Sequence, residues 1–125
     1  MKPVCLVIGA GAGIGGTVGK RFAREGYHAV LCRRSDEEGL QTLVTAIEDE
    51  GGSATGFLLN AIEDDAIENQ IATVEAEIGP IEVVVYNLGA QIGNRALEDT
   101  SYKAFEIGWR MATFGLFRTA SVLCP

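Results

Sequence analysis

The chain has 125 residues, 47% of them hydrophobic and 22% charged, which suits one globular domain with its own core and leaves no room for two. Its net charge of -7 excludes a general nucleic-acid surface, because phosphate backbones are held by clustered Lys and Arg. No stretch approaches the roughly 18 consecutive apolar residues of a membrane-spanning helix, so a soluble chain without a membrane partner is expected.

Read along the chain, the pattern alternates between strand and helix. Val4 to Ile8 and Ala29 to Cys32 are continuous apolar runs, as parallel strands covered on both faces require. Between them Ile14, Val18 and Phe22 recur every four residues and Gly26 ends the pattern, predicting an amphipathic crossover helix with that stripe inward. Ser35 and Glu38 have capping-box spacing, and Leu40, Leu43, Val44 and Ile47 then form a helical stripe closed by Gly51-Gly52. A third strand is predicted at about Ala54 to Leu59. Ile67, Ile71, Val74 and Ile78 mark the next helix face, Gly79-Pro80 stops it, and Ile81 to Tyr86 supplies the fourth strand. One last helix is predicted at roughly Tyr102 to Leu123, packing through Phe105, Trp109, Ala112, Leu116 and Ala120. Strands separated by helices predict an α/β fold, a Rossmann-like doubly wound parallel sheet truncated after the fourth strand and its following helix. The expected strand order is 3-2-1-4, with the fourth strand, and Val84 on it, at an open edge.

The glycine turn after the first run carries the chemistry. Gly9, Gly13 and Gly15 stand between a buried strand and a helix, where backbone can approach a pyrophosphate and the helix N-terminus attracts its charge. Gly11, Gly13 and Gly16 satisfy a second, overlapping spacing, while a P-loop is excluded because Arg21 follows Gly19-Lys20 where Ser or Thr is required. Arg33 and Arg34 close the second strand, and guanidinium groups there pair with a 2′-phosphate where an acidic residue would hold a ribose diol. NADP(H) is therefore favoured over NAD(H), against the alternative of two solvated arginines. Cysteines 5, 32 and 124 form no Cys-x-x-Cys pair, and their odd number gives no complete disulfide framework, which fits a reducing cytoplasm. His28, the only histidine, has no partner motif and is read as a loop residue. The acidic runs 48–50 and 63–65 read as solvated helix faces, and no metal ligands are assigned.

Taken with the strand and helix order, these motifs resemble the N-terminal half of the short-chain dehydrogenase/reductase family over essentially the whole chain. The family's Thr-Gly-x-x-x-Gly-x-Gly turn appears as Ile8-Gly9-Ala10-Gly11-Ala12-Gly13-Ile14-Gly15, and its Asn-Asn-Ala-Gly segment as Tyr86-Asn87-Leu88-Gly89. The resemblance implies that residues 1–125 form one dinucleotide-binding domain, incomplete at its C-terminal end. It implies cofactor contacts at Gly9, Gly13, Ile14, Gly15, Arg33, Arg34, Asn60, Ala61, Asn87 and Gly89, with Asn60 standing where the family usually has Asp beside the adenine. Asn87 is also expected to tie loop backbone together through its amide. Family chemistry is hydride transfer between nicotinamide and a carbonyl or alcohol substrate, assisted by an upstream Ser and a Tyr-x-x-x-Lys pair. Neither that pair nor a convincing Ser occurs in these residues, so no catalytic residue is assigned and the chain alone is expected to be inactive. Aligned on Phe105 and Gly115, Ala112 replaces a relay asparagine of the family. The resemblance further implies a homo-oligomer; the competing reading is a non-catalytic nucleotide-binding or interaction module.

Overall fold

A computed structural model describes residues 2–89 and 95–125. Four parallel strands, β1 (Val4–Ile8), β2 (His28–Arg33), β3 (Ser53–Leu58) and β4 (Ile81–Tyr86), form a sheet in the order β3-β2-β1-β4, as expected. β1 is buried along its whole length because each of its faces meets a helical layer. Leu6 and Ile8 point one way with Val30 and Cys32, into a core completed by Ile67, Ile71 and Val74. Cys5 and Val7 point the other way with Ala29 and Leu31, against Ala23, Leu40, Leu43, Val44 and Ile47. This alternation explains why a continuous apolar run, rather than a half-polar one, encodes a central strand.

Helices α1 (Ile14–Arg24), α2 (Glu37–Asp49) and α3 (Ala66–Glu77) make the crossovers. The stripe predicted for α1 holds only in part: Phe22 packs against the core and Val18 is half-buried, but Ile14 is 72% exposed, and the fully buried residues are Gly15, Gly16, Gly19 and Ala23. The helix lies so close to the sheet that a Cβ at Gly19 would come within 2.6 Å of Leu31, so the inward face is made of the smallest residues. The α2 cap is also displaced by one residue. Asp36, in the left-handed region at φ 65°, accepts from the Gly39 amide through Oδ1 at 3.1 Å, and Ser35 lies outside the capping pair. Asp tolerates that backbone because its short side chain bonds locally.

His28 is not a loop residue but opens β2. Its ring nitrogens lie 2.9 Å from Ser53 Oγ and 2.8 Å from Thr55 Oγ1 on β3. β4 is an edge strand of the described sheet, and Val84 is 37% exposed on it.

The predicted last helix is divided. α4 (Tyr102–Trp109) leads through a π-helical turn at Arg110–Phe114 into α5 (Gly115–Leu123). Its predicted packing stripe faces the wrong way: Phe105, Trp109 and Leu116 are exposed, while Gly108, Gly115, Arg118 and Thr119 are buried. Again closeness decides the face. A Cβ at Gly115 would overlap the hydroxyl of Tyr86, which reaches across from β4 and donates to the Met111 carbonyl inside the wide turn. Among the described residues, no helix is long and apolar enough to cross a membrane.

Candidate functional site

At the carboxyl ends of β1, β2 and β4 the chain makes three turns that meet. Gly9 has φ 98°, and a Cβ there would stand 2.4 Å from the Asn87 carbonyl oxygen, so only glycine allows the first turn to touch the fourth. Asn87 ties the two together: its backbone N–H donates to Ile8 O at 2.8 Å and its side-chain amide to Gly9 O at 3.2 Å. The tie expected from its amide is therefore present. Behind the turn, a Cβ at Gly15 would meet Gly9 O at 2.2 Å and one at Gly16 would meet Gly11 O at 2.2 Å. Gly11 and Gly13 differ from these, because among the described residues nothing lies within 4 Å of a Cβ built on either. The loop is thus packed tightly on its inner side and open on its outer side, at the N-terminus of α1. That open backbone is the cradle a diphosphate needs. Ile14 stands exposed at the first helical position, and none of the described residues lies within 4 Å of a Cβ built on Gly89.

Beside the cradle is a cavity of about 270 Å³ lined by Ile8, Gly9, Arg33, Arg34, Asn60, Ala61 and Met111 among others. The site residues expected after strands two and three therefore converge with Gly9, at the end of the first. Arg33 lies against the glycine turn, donating from Nε to Ala10 O at 2.9 Å, and pairs through Nη1 with Asp36 Oδ2 at 3.2 Å. Arg34 is exposed at the rim. Asn60 uses its side chain locally, accepting from the Ile62 amide at 3.3 Å and donating to Glu63 at 3.4 Å. The fit to a dinucleotide rests on this geometry: an open glycine cradle for phosphates, two guanidinium groups at one end of a mostly apolar cavity, and amide-lined turns beside it.

Three participants escape a reading of the sequence. Met111 enters the cavity wall from the π-helical turn, and Tyr86 holds that turn in place. Arg118, 7% exposed, pairs with Glu68 through Nη2–Oε1 at 2.6 Å and Nε–Oε2 at 3.0 Å. The hydrogen bonds from Arg118 hold the Glu68 carboxyl below its usual range, while burial pushes the Tyr86 hydroxyl up. Cys5 and Cys32, beneath the site, are held protonated by burial, with pKa pushed up to about 11 and about 12.

The short chain dehydrogenase family model matches residues 3–125, and the chain belongs to that family. It is 32% identical over 124 residues to a fatty acyl-CoA reductase from Acinetobacter baylyi, covering 98% of this chain and 41% of that protein. Among solved structures, the F189W actinorhodin polyketide ketoreductase with NADPH superposes with a TM-score of 0.88 at 30% identity, covering 98% of this chain and 46% of that one. A metagenomic short-chain oxidoreductase in complex with NADP gives 0.90 at 25% identity, covering 98% and 55%. The chain therefore spans about half the length of such relatives.

Proposed function

We propose that the chain is the NADP(H)-binding portion of a short-chain oxidoreductase that moves hydride between the nicotinamide and a carbonyl or alcohol substrate. The observation that carries the cofactor preference is the placement of Arg33 and Arg34 on the cavity at the end of β2, with no carboxylate among the cavity's lining residues to hold a ribose diol. Two of the similar structures were solved with NADPH or NADP, which supports the same reading. The cofactor, when bound, supplies the hydride. Gly9, Gly13, Ile14 and Gly15 present backbone to its diphosphate; Arg33 and Arg34 receive the 2′-phosphate; Asn60 and Ala61 border the base; Asn87 and Gly89 border the ribose on the nicotinamide side. No residue of this chain is assigned the proton transfer, so residues 1–125 bind cofactor without turning over a carbonyl substrate. The exposed Phe105, Trp109, Leu116 and Phe117 support association with further copies of the chain, and three free thiols suit a reducing cytoplasm.

The test is direct binding of NADPH and NADH by fluorescence to the wild type, to Arg34→Ala and to the Arg33→Ala/Arg34→Ala pair. Charge-assisted contacts to a phosphate contribute about 2–3 kcal/mol, so the double variant should lose NADPH affinity roughly 30- to 150-fold and NADH affinity much less. Because Arg33 also bonds to Ala10, Arg34→Ala separates phosphate recognition from loop support. Equal losses for both cofactors, or tighter wild-type binding of NADH, would reject the assignment.

A further inference from the structure

The segment that follows β3 is gripped in an unusual way. Three successive backbone carbonyls each accept from a guanidinium of the C-terminal helical region: Ala61 O from Arg118 Nη1 at 2.9 Å, Ile62 O from Arg110 Nη1 at 3.3 Å, and Glu63 O from Arg118 Nη2 at 3.0 Å. The guanidinium carbons of both arginines lie 5.7 Å from the Phe114 ring centroid, and Trp109 stacks on Phe114 with centroids 5.1 Å apart. Arg118 is fixed from its far side by Glu68 of α3. Two of the gripped residues, Ala61 and Ile62, line the cavity beside Asn60. The same π-helical turn that carries Arg110 also contributes Met111 to the cavity lining.

We infer that Arg118, with Arg110, is a positioning pair that fixes the base-recognising wall of the nucleotide site and so determines how well the adenine is read, without touching it. This rests on the nucleotide reading of the cavity. Glu68 of α3 balances the charge of Arg118 and takes two of its five N–H donors. Two more go to the Ala61 and Glu63 carbonyls, and Arg110 takes Ile62 between them, which fixes the path of a segment that has no regular backbone ladder of its own. Arg's planar fork makes this possible, because its five donors point in set directions, whereas Lys offers a single centre.

Arg118→Lys keeps the charge beside Glu68 and removes the fork. The readout is the ratio of dissociation constants for NADPH and for its hypoxanthine counterpart, measured on the full chain, with thermal melting alongside. The expected result is a wild type that prefers the adenine form, and an Arg118→Lys variant in which NADPH affinity falls about tenfold while the ratio collapses toward one. A ratio that stays at the wild-type value, with both affinities unchanged or lowered equally, overturns the positioning role and leaves the cofactor assignment standing. A wild type that binds both forms equally also overturns the positioning role, and one that binds neither overturns the cofactor assignment and this inference together. Should Arg118→Lys fail to fold, Arg110→Gln, which releases the Ile62 carbonyl together with half-exposed ion pairs to Asp64 and Glu106, is held to the same criterion with a smaller drop.

Discussion

The two kinds of glycine in the first turn should separate folding from binding. At Gly15 an added Cβ would sit 2.2 Å from Gly9 O and 3.0 Å from Ala10 Cα, so Gly15→Ala must push the turn outward by roughly 1 Å to restore an ordinary contact. Gly9 O is also the acceptor for Asn87 Nδ2 and for Gly11 N, at 3.2 Å each, so that shift loosens the crossing of the first and fourth turns. Overpacking of about 1–3 kcal/mol together with a weakened hydrogen bond of about 1 kcal/mol gives a loss of about 2–4 kcal/mol, which for a domain this size lowers Tm by roughly 8–16 °C. At Gly13 none of the described residues lies within 4 Å of an added Cβ. Gly13→Val therefore costs the fold only a poorer helix N-cap, about 1 kcal/mol, yet it fills the cradle and should lower NADPH affinity by more than about 30-fold. Melting by circular dichroism and NADPH binding by fluorescence measure the two effects on the same samples. The reasoning is refuted if Gly15→Ala melts with the wild type, or if Gly13→Val unfolds as readily as Gly15→Ala while those that remain folded bind cofactor normally.

Asp36 stands beside Arg33 at 3.2 Å and opposes any phosphate that Arg33 receives. Asp36→Asn keeps a helix cap and should raise NADPH affinity roughly two- to fivefold by removing a nearby like charge, with NADH binding unmoved; an equal gain for NADH would show that the carboxylate acts on something other than the 2′-phosphate. His28 is held neutral chiefly by burial and secondarily by Lys2. Its folded pKa lies below the ordinary value near 6.5, so the folded state binds this proton less readily than the unfolded one, and its contribution is complete above that pH and lost as the pH falls through the folded value. Melting between about pH 8 and pH 5 should show Tm falling on the acid side, less steeply in His28→Gln; parallel curves for the two proteins would refute the assignment. Cys5 and Cys32 are buried and Cys124 is exposed, so a thiol reagent should modify one group in the folded chain and three after denaturation; fast modification of two or more under native conditions would contradict the core packing.

The strands were legible because burial on both faces leaves an unbroken apolar run, and β1 and β4 begin and end where the pattern puts them. Helix faces were not. On α1 and along α4–α5 the buried positions include Gly15, Gly16, Gly19, Gly108 and Gly115, residues that add almost nothing to a hydrophobic pattern, which points instead to Ile14, Phe105 and Leu116. The π-helical turn has no marker of its own beyond a glycine that follows it. In the site, the glycine turn and the two arginines after β2 could be found because their spacing is local. Arg118 could not, since its partners lie about fifty residues earlier and a lone arginine reads as solvated. For His28 the missing signal was the pair of hydroxyls that β3 brings alongside.

The grip on residues 61–63 also bears on how this region can vary. Every contact that Arg110 and Arg118 make there is to a main-chain oxygen, a group that all twenty amino acids present alike. The frame is therefore blind to the side chains it carries. Ile62, which is half-buried, can be exchanged for residues of other size or polarity while the path of the loop stays where it is, whereas Ala61 is packed into the core. A site arranged in this way can acquire a new base preference through one or two substitutions at its wall, without first having to rebuild the support behind it.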